Sequence, residues 1–465
     1  MTPQSIALNR FGLGYRRGDA LPQDPKGWLK RQIEDYLPDP PALAGRDVDG
    51  DEVTRIVAET ADFRARRQAA EKGETSGEDR REMAMERQRS ERQQLIADIA
   101  LRGRLALETD TPFMERLVHF WSNHFAVSSD KAQIPGLVGP YEFGAIRPHI
   151  GGYFADLLKA ASLHPAMLVY LDQWQSQGPN SRLADQMKRR GRPDRGLNEN
   201  LGREILELHT LGVNGGYSQE DVKELARALT GWTMQGLPAA ARATPQALGA
   251  AFFGYVHEPG TRTVLGRSYS DDGAGQALAI LDDLAVHPAT ARFIATKLAR
   301  HFAGDNPPTT LVDRLAKAFG DSKGHLPTVY EALIDAPETW VEQPVKFRQP
   351  WEWAVGLLRA GGEMELADRQ FAIMLRELGQ QVWTPGSPAG WDDREASWAG
   401  ANALYRRVEA AERAAEMLRL EDVRELAEAM FPGSLSETTE QSVRWAESNE
   451  MGFALLLVSP EMLRR

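Results

Sequence analysis

The sequence contains no cysteine. That excludes disulfides, thiolate metal centres, a thiol nucleophile and covalently attached c-type haem. No apolar run reaches the roughly 18 residues that a membrane span needs, so no span is expected. The first residues, MTPQSIALNRFGLGYRRGD, lack a basic segment followed by an apolar one. The default location is therefore the cytoplasm, with the periplasm as the alternative. Basic excess is also missing: the formal net charge is −11, which argues against a nucleic-acid partner or an anionic membrane surface. The spacings HExxH, GxSxG, GxGxxG and the Walker loop are absent. An S-x-x-K match at Ser128–Lys131 falls at an expected helix end, where three matching letters carry little. Strand signals are sparse.

What is present is helical periodicity. Residues 26–36 form a short amphipathic segment, and residues 51–107 read as two long charged helices broken at EKGETSGED, where Thr75 or Ser76 can cap the second. From residue 111 the helices are shorter and more apolar. SLHPAM, AVHPAT, DAPETW and VSPEML each place Pro at the start of a new helix, giving His164 and His287 a plain role as turn residues. One β-hairpin is expected in AFFGYVHEPGTRTVLG (251–266), turning at Pro259–Gly260. The fold class is all-α with that single small hairpin. Three segments are expected: 1–110 with the long charged helices, 111–330 as a helical core carrying the site, and 331–465 packed on that core.

Two helices carry polarity that an ordinary core does not need. In NENLGREILELHTLG (198–212), an even 100° per residue gives an apolar face of Leu201, Ile205 and Leu208. His209 falls beside that face, in line with Asn198 and Gly202, and Glu204 borders it. A glycine gap, a carboxylate and an imidazole together suit a pocket wall. The same residues also fit plain helix chemistry: Asn198 as N-cap, Glu199 on the helix dipole, His209 bonded to a carbonyl, and Gly212 as the stop. Arg203 and Glu207 pair on the outer face. In PFMERLVHFWSNHFAVS (112–128), Phe113, Leu117, Phe120 and His124 share one stripe with Trp121 beside it. Glu115, His119 and Asn123 share another that could face solvent. His119 and His124 are five apart and cannot chelate one ion as a pair. Trp383, Trp391 and Trp398 lie in and around the Pro/Gly-rich loop TPGSPAGWDD.

The segments ALNRFGLG, ERLVHFWSNHF, MLVYLDQWQS, the long run from NENLGREILELHTLG to LTGWT, HEPGTRTVLG, HPATARFIATKLARHF and the late GWDD together resemble a bacterial family known as domain of unknown function 1800. The resemblance implies an α-rich fold and a partner protein similar to the sulfatase–phosphatase superfamily, and some relatives are exported. The family residues carried over are Trp121, Asn123, His124, Asn198, Glu199, Asn200, Arg203, Glu204, Glu207, His209 and His257. Relatives often have His where this chain has Ser122, and the basic insertion before Gly196 is long.

Two functions follow as expectations. The first is an enzyme, preferably a hydrolase, with His124, Glu204, His209 and Asn123 as the catalytic set. Its substrate, of saccharide type, would be held by Asn198, Glu199, Asn200, Arg203, Trp121, His257 and Trp391. Either His/Glu acid–base chemistry or a divalent metal would activate water, and the metal and its ligands are left open. The second is a non-catalytic helical partner or maturation factor for another protein, its inward polar groups forming a satisfied network.

Overall fold

Proline starts many of the helices, for a local reason. A residue before proline is pushed to extended backbone, and its side chain can then accept an N–H of the new helix. His164 and His287 both do this: each Nδ1 accepts, at 3.1 Å, the N–H of the residue after the proline, Ala166 and Ala289 respectively. Ser459 caps the Pro460–Leu463 helix by accepting the N–H of Met462 instead, at 3.2 Å. Ser218 and Asp221 form a reciprocal capping box on the helix Gln219–Leu229.

The structure is a computed structural model that describes residues 1–46, 48–69, 77–131, 134–193, 196–362, 368–417 and 422–465. The expected caps Thr75 and Ser76, and part of the basic insertion before Gly196, lie outside the described residues. The fold is predominantly helical, with 22 α-helices among the described residues and two small antiparallel sheets. No described helix is long and apolar enough to cross a membrane.

The long helices Gly50–Ala69 and Gly77–Glu108 lie against each other, Arg87 reaching the Thr60 hydroxyl at 2.9 Å and pairing with Glu91 at 2.6 Å. The outer stretch of the second helix is solvated. Its inner end, from Asp98 through Ile99, Leu101, Leu105 and Ala106, is buried.

The sheet pairing differs from the expected hairpin. Ala250–Phe252 pairs with Trp232–Met234 on one side and Thr244–Pro245 on the other. The hairpin lies further along, Arg262–Val264 against Arg267–Tyr269. Its two-residue turn is Leu265–Gly266, both at positive φ (49° and 75°), the geometry that matches strand twist. The backbone N–H of Leu265 donates to Asp221 at 2.7 Å, which holds a leucine in a conformation its side chain disfavours. Pro259–Gly260 instead forms a loop whose carbonyls accept from Arg262 and Gln276.

The helix Pro112–His124 runs through the middle of the core. Phe113, Met114, Leu117, Val118 and Trp121 are fully buried. The Glu115–His119–Asn123 stripe also faces inward: Glu115 and Arg147 form a buried ion pair. A carboxylate is retained there because burial without a partner would cost far more. The early and late parts of the sequence interlock. Arg10 donates to the carbonyls of Thr339, Val341 and Gln343, Asn9 donates to Met430, and Arg465 donates to the carbonyl of Arg10.

Candidate functional site

Over the second half of the Pro112–His124 helix lies a cavity of about 100 Å³. Arg116, His119, Phe120 and Asn123 form the i, i+3, i+4, i+7 stripe facing it, with Ser122 and His124 at its flanks. Lys297 and His301, one turn apart on the helix Pro288–Ala303, form another wall. Gln349, Trp351 and Glu352 enter from the start of the helix Pro350–Gly361, and Arg102 from the long helix. The segment from Gln380 to Asp393 closes the top with Val382, Trp383, Pro385 and Trp391. Asn123, Lys297, Gln349, Pro385, Trp391 and Asp393 are partly exposed, so the cavity opens along this rim.

Asn123 holds the top in place. Its amide nitrogen donates to the Trp391 carbonyl at 2.9 Å and its oxygen accepts the Trp391 N–H at 2.7 Å. The neighbouring Gly390 has φ 81°, and a Cβ there would stand 2.3 Å from the Asn123 carbonyl oxygen, so this close approach requires glycine. Trp398 donates to the Asp392 carbonyl at 2.7 Å, its ring 5.8 Å from that of Trp391.

His124 is buried and held at both nitrogens. Nε2 lies 3.1 Å from the carbonyl oxygen of His209, and Nδ1 lies 2.9 Å from Lys297 Nζ. A carbonyl only accepts, so Nε2 carries the hydrogen and Nδ1 offers its lone pair to the amine. Burial, then Lys297 and His209, push the His124 imidazole well below its ordinary range. The Lys297 amine comes down to about 8, chiefly by burial and against the pull of Asp393.

A second imidazole faces the same space. His301 Nδ1 is 3.4 Å from Asp393 Oδ2, and its Nε2 is 3.9 Å from Glu352 Oε1. Burial lowers the His301 pKa while Asp393 opposes it. Glu352 is bonded by Arg116 and, at 2.9 and 3.2 Å, by Arg465. Burial alone would raise this carboxyl, but the two guanidiniums hold it well below the usual range. Ser122 donates to Glu142 at 2.5 Å, beside Trp383 and Arg102, each at 2.7 Å. The Ser122 hydroxyl is therefore engaged with a carboxylate rather than with an imidazole. His119 accepts from the Trp351 indole at 3.1 Å.

Of the residues expected from sequence, Asn123, His124 and Trp391 line the cavity. His209 lies directly behind His124, ring centroids 6.1 Å apart and 0% exposed. Neither of its ring nitrogens has a hydrogen-bond partner among the described residues, and burial brings its pKa to about 3. Glu204 does not line the cavity. It is half-buried, its carboxyl raised by burial and by Glu207. The helix is α over Asn200–Glu204 and π over Ile205–His209. His209 is buried and Glu204 only half-buried; at about 100° per residue, side chains five apart already stand about 140° from each other.

Gly202 gives its space to a neighbouring helix: a Cβ would meet Ala226 N and Val222 O at 3.1 Å. Asn198 accepts the Asn200 N–H at 2.8 Å and donates to Leu171, while Glu199, Arg203 and Gln219 form a surface network. Trp121 is core, its indole donating to the Tyr330 hydroxyl at 2.7 Å. His257 Nδ1 sits 2.8 Å from the Thr230 carbonyl. Ser128 and Lys131 turn to Asp130 and Asp172 respectively. Among the described residues no three His, Asp or Glu side chains could hold a metal ion.

Sequence reasoning passed over Lys297, His301, Glu352 and Asp393. The first two carry a readable signal, since they stand four positions apart in ATKLARH and so share a face. No curated protein and no solved structure matches the chain. Residues 6–464 match the family model described as "Protein of unknown function (DUF1800)", so both signature helices and every wall of the cavity fall within the match, and the chain belongs to that family.

Proposed function

We propose that the chain is a hydrolase working by acid–base chemistry in the cavity over the Pro112–His124 helix. One observation carries the reading: Lys297 and His124 stand 2.9 Å apart at the cavity wall, an amine facing an imidazole lone pair. An amine with a pKa of about 8 can accept a proton from attacking water and return it to a leaving group near neutral pH. His301 and Asp393 supply a second proton-handling pair. Trp391 offers a flat face on which a saccharide-like ring would stack. Asn123 positions Trp391, and the backbone of His209 positions His124. Glu204 and the surface residues Asn198, Glu199, Asn200 and Arg203 fall outside this mechanism. The acid–base form is preferred to the metal-assisted one because no three-donor set converges among the described residues.

The test is hydrolysis of a panel of nitrophenyl glycosides and esters by the full chain. Turnover of at least one substrate should fall about 100-fold or more in Lys297→Met, the range of a lost acid–base group. No turnover of any substrate, or equal turnover in the variant, rejects the reading.

The second reading, a helical partner for a sulfatase–phosphatase-like protein, is favoured by one surface feature. Tyr405, Val408, Trp445 and Met451 leave large apolar side chains exposed on the last helices, Trp445 at 73%. Co-purification of such a partner, lost on Trp445→Glu, would favour it.

A further inference from the structure

The geometry points to Lys297 as an amine nucleophile that forms an imine with a small aldehyde or ketone entering the cavity. The inference shares the cavity with the hydrolase reading and does not depend on hydrolysis. Lys30, Lys131, Lys159, Lys317 and Lys346 each hold a carboxylate at ion-pair distance. Lys297 does not. Its hydrogen-bond partner among the described residues is His124 Nδ1, an acceptor without charge, and the Phe293 ring lies 5.7 Å away. Lysines held in apolar surroundings, or near another cation, are the ones that serve as amine nucleophiles. Here the first condition holds: the amine is buried, and burial outweighs the opposing pull of Asp393. The cavity of about 100 Å³ suits a small carbonyl compound, with Trp351, Trp383 and Trp391 around it.

The step balances without an oxidant or reductant. The neutral nitrogen's lone pair forms the N–C bond as the carbonyl π pair moves onto oxygen. His124 Nδ1 takes one proton from nitrogen and passes it to that oxygen, giving the carbinolamine. The second amine proton follows the same route, the C–O bond breaks, oxygen leaves as water, and the nitrogen pair closes the C=N bond.

The experiment is reductive trapping of the unmodified full-length protein with acetaldehyde and cyanoborohydride at pH 7.5, followed by peptide mass mapping. Lys297 should gain its ethyl group at least about tenfold faster than exposed Lys317, because a far larger fraction of its amine is neutral at that pH. In Lys297→Met the fast phase should vanish while labelling of Lys317 is unchanged. Labelling of Lys297 no faster than Lys317 overturns the inference. Trapping without turnover of the nitrophenyl panel would leave the amine chemistry standing and remove hydrolysis. Turnover without preferential trapping would do the reverse.

Discussion

The Nε2 of His124 meets the main-chain oxygen of His209 at 3.1 Å, and this bond joins the two polar helices of the sequence. The bond involves the backbone of residue 209, not its ring. The two histidines therefore have separable roles: His124 faces the amine, and His209 fills the space behind it.

The first prediction concerns that fill. Two buried ring nitrogens without partners cost about 1–3 kcal/mol, and an apolar side chain of similar size would not incur this penalty. His209→Leu should be neutral or slightly stabilising in urea unfolding, whereas His209→Ala should lose about 2–4 kcal/mol by leaving a cavity. A large loss in His209→Leu would show that the ring nitrogens are bonded in solution.

A second prediction is the acid limb of stability. His164 and His209 both have folded pKa values of about 3, lowered by burial from 6.5. Between those values the unfolded chain binds more protons than the folded one, so stability rises with pH there. Their neutral burial is accommodated in full above about pH 6.5, and stability falls as pH drops towards 3, by a few kcal/mol per group at most. Urea midpoints measured from pH 7 to pH 4 should decline, and the decline should be shallower in His209→Leu. A flat profile would contradict the burial of both rings.

Lys297 gives the opposite kind of test. Its folded pKa of about 8 lies below the ordinary 10.5, so at pH 7 the folded state bears the cost of a buried ammonium. Lys297→Met should raise the melting temperature at pH 7 and lose that advantage progressively as pH rises from about 8 to 10.5. A lower melting temperature at pH 7 would mean that the amine is paired more strongly than its geometry indicates.

The wall opposite depends on Glu352. Removing its charge leaves Arg116 and Arg465 buried without their common partner, and breaking such a pair costs about 3–5 kcal/mol. Glu352→Gln should show that loss in denaturant titrations; a change under about 1 kcal/mol would indicate that solvent reaches both guanidiniums.

At the cavity top, Gly390→Ala should be worse than Asn123→Ala. The first forces a Cβ against the Asn123 backbone at a positive φ, and the second removes two hydrogen bonds to Trp391. Limited proteolysis between Val382 and Asp393 should be faster in both variants than in the wild type.

The helical class was legible because apolar residues recur at helical spacing from residue 111 onward, and because prolines mark the helix starts. His124 was legible because a polar residue inside an aromatic stripe needs partners, and Asn123 because the family resemblance carried it over. Glu204 and His209 are five apart, about 140° around a helix at 100° per residue, so the spacing alone did not place the carboxylate beside the imidazole. Lys297 and His301 share a helix face by their spacing, but nothing in the residue types says that this face meets the His124 helix. Asp393 and Glu352 gained their meaning only from contacts across the chain.

Arg465 touches both Glu352 and the carbonyl of Arg10, 455 positions apart in sequence. Bringing together groups so far apart along the chain carries a loop-closure cost that no single helix can offset. The Glu352 side of the cavity is therefore a property of the whole described fold rather than of the helix on which Glu352 sits.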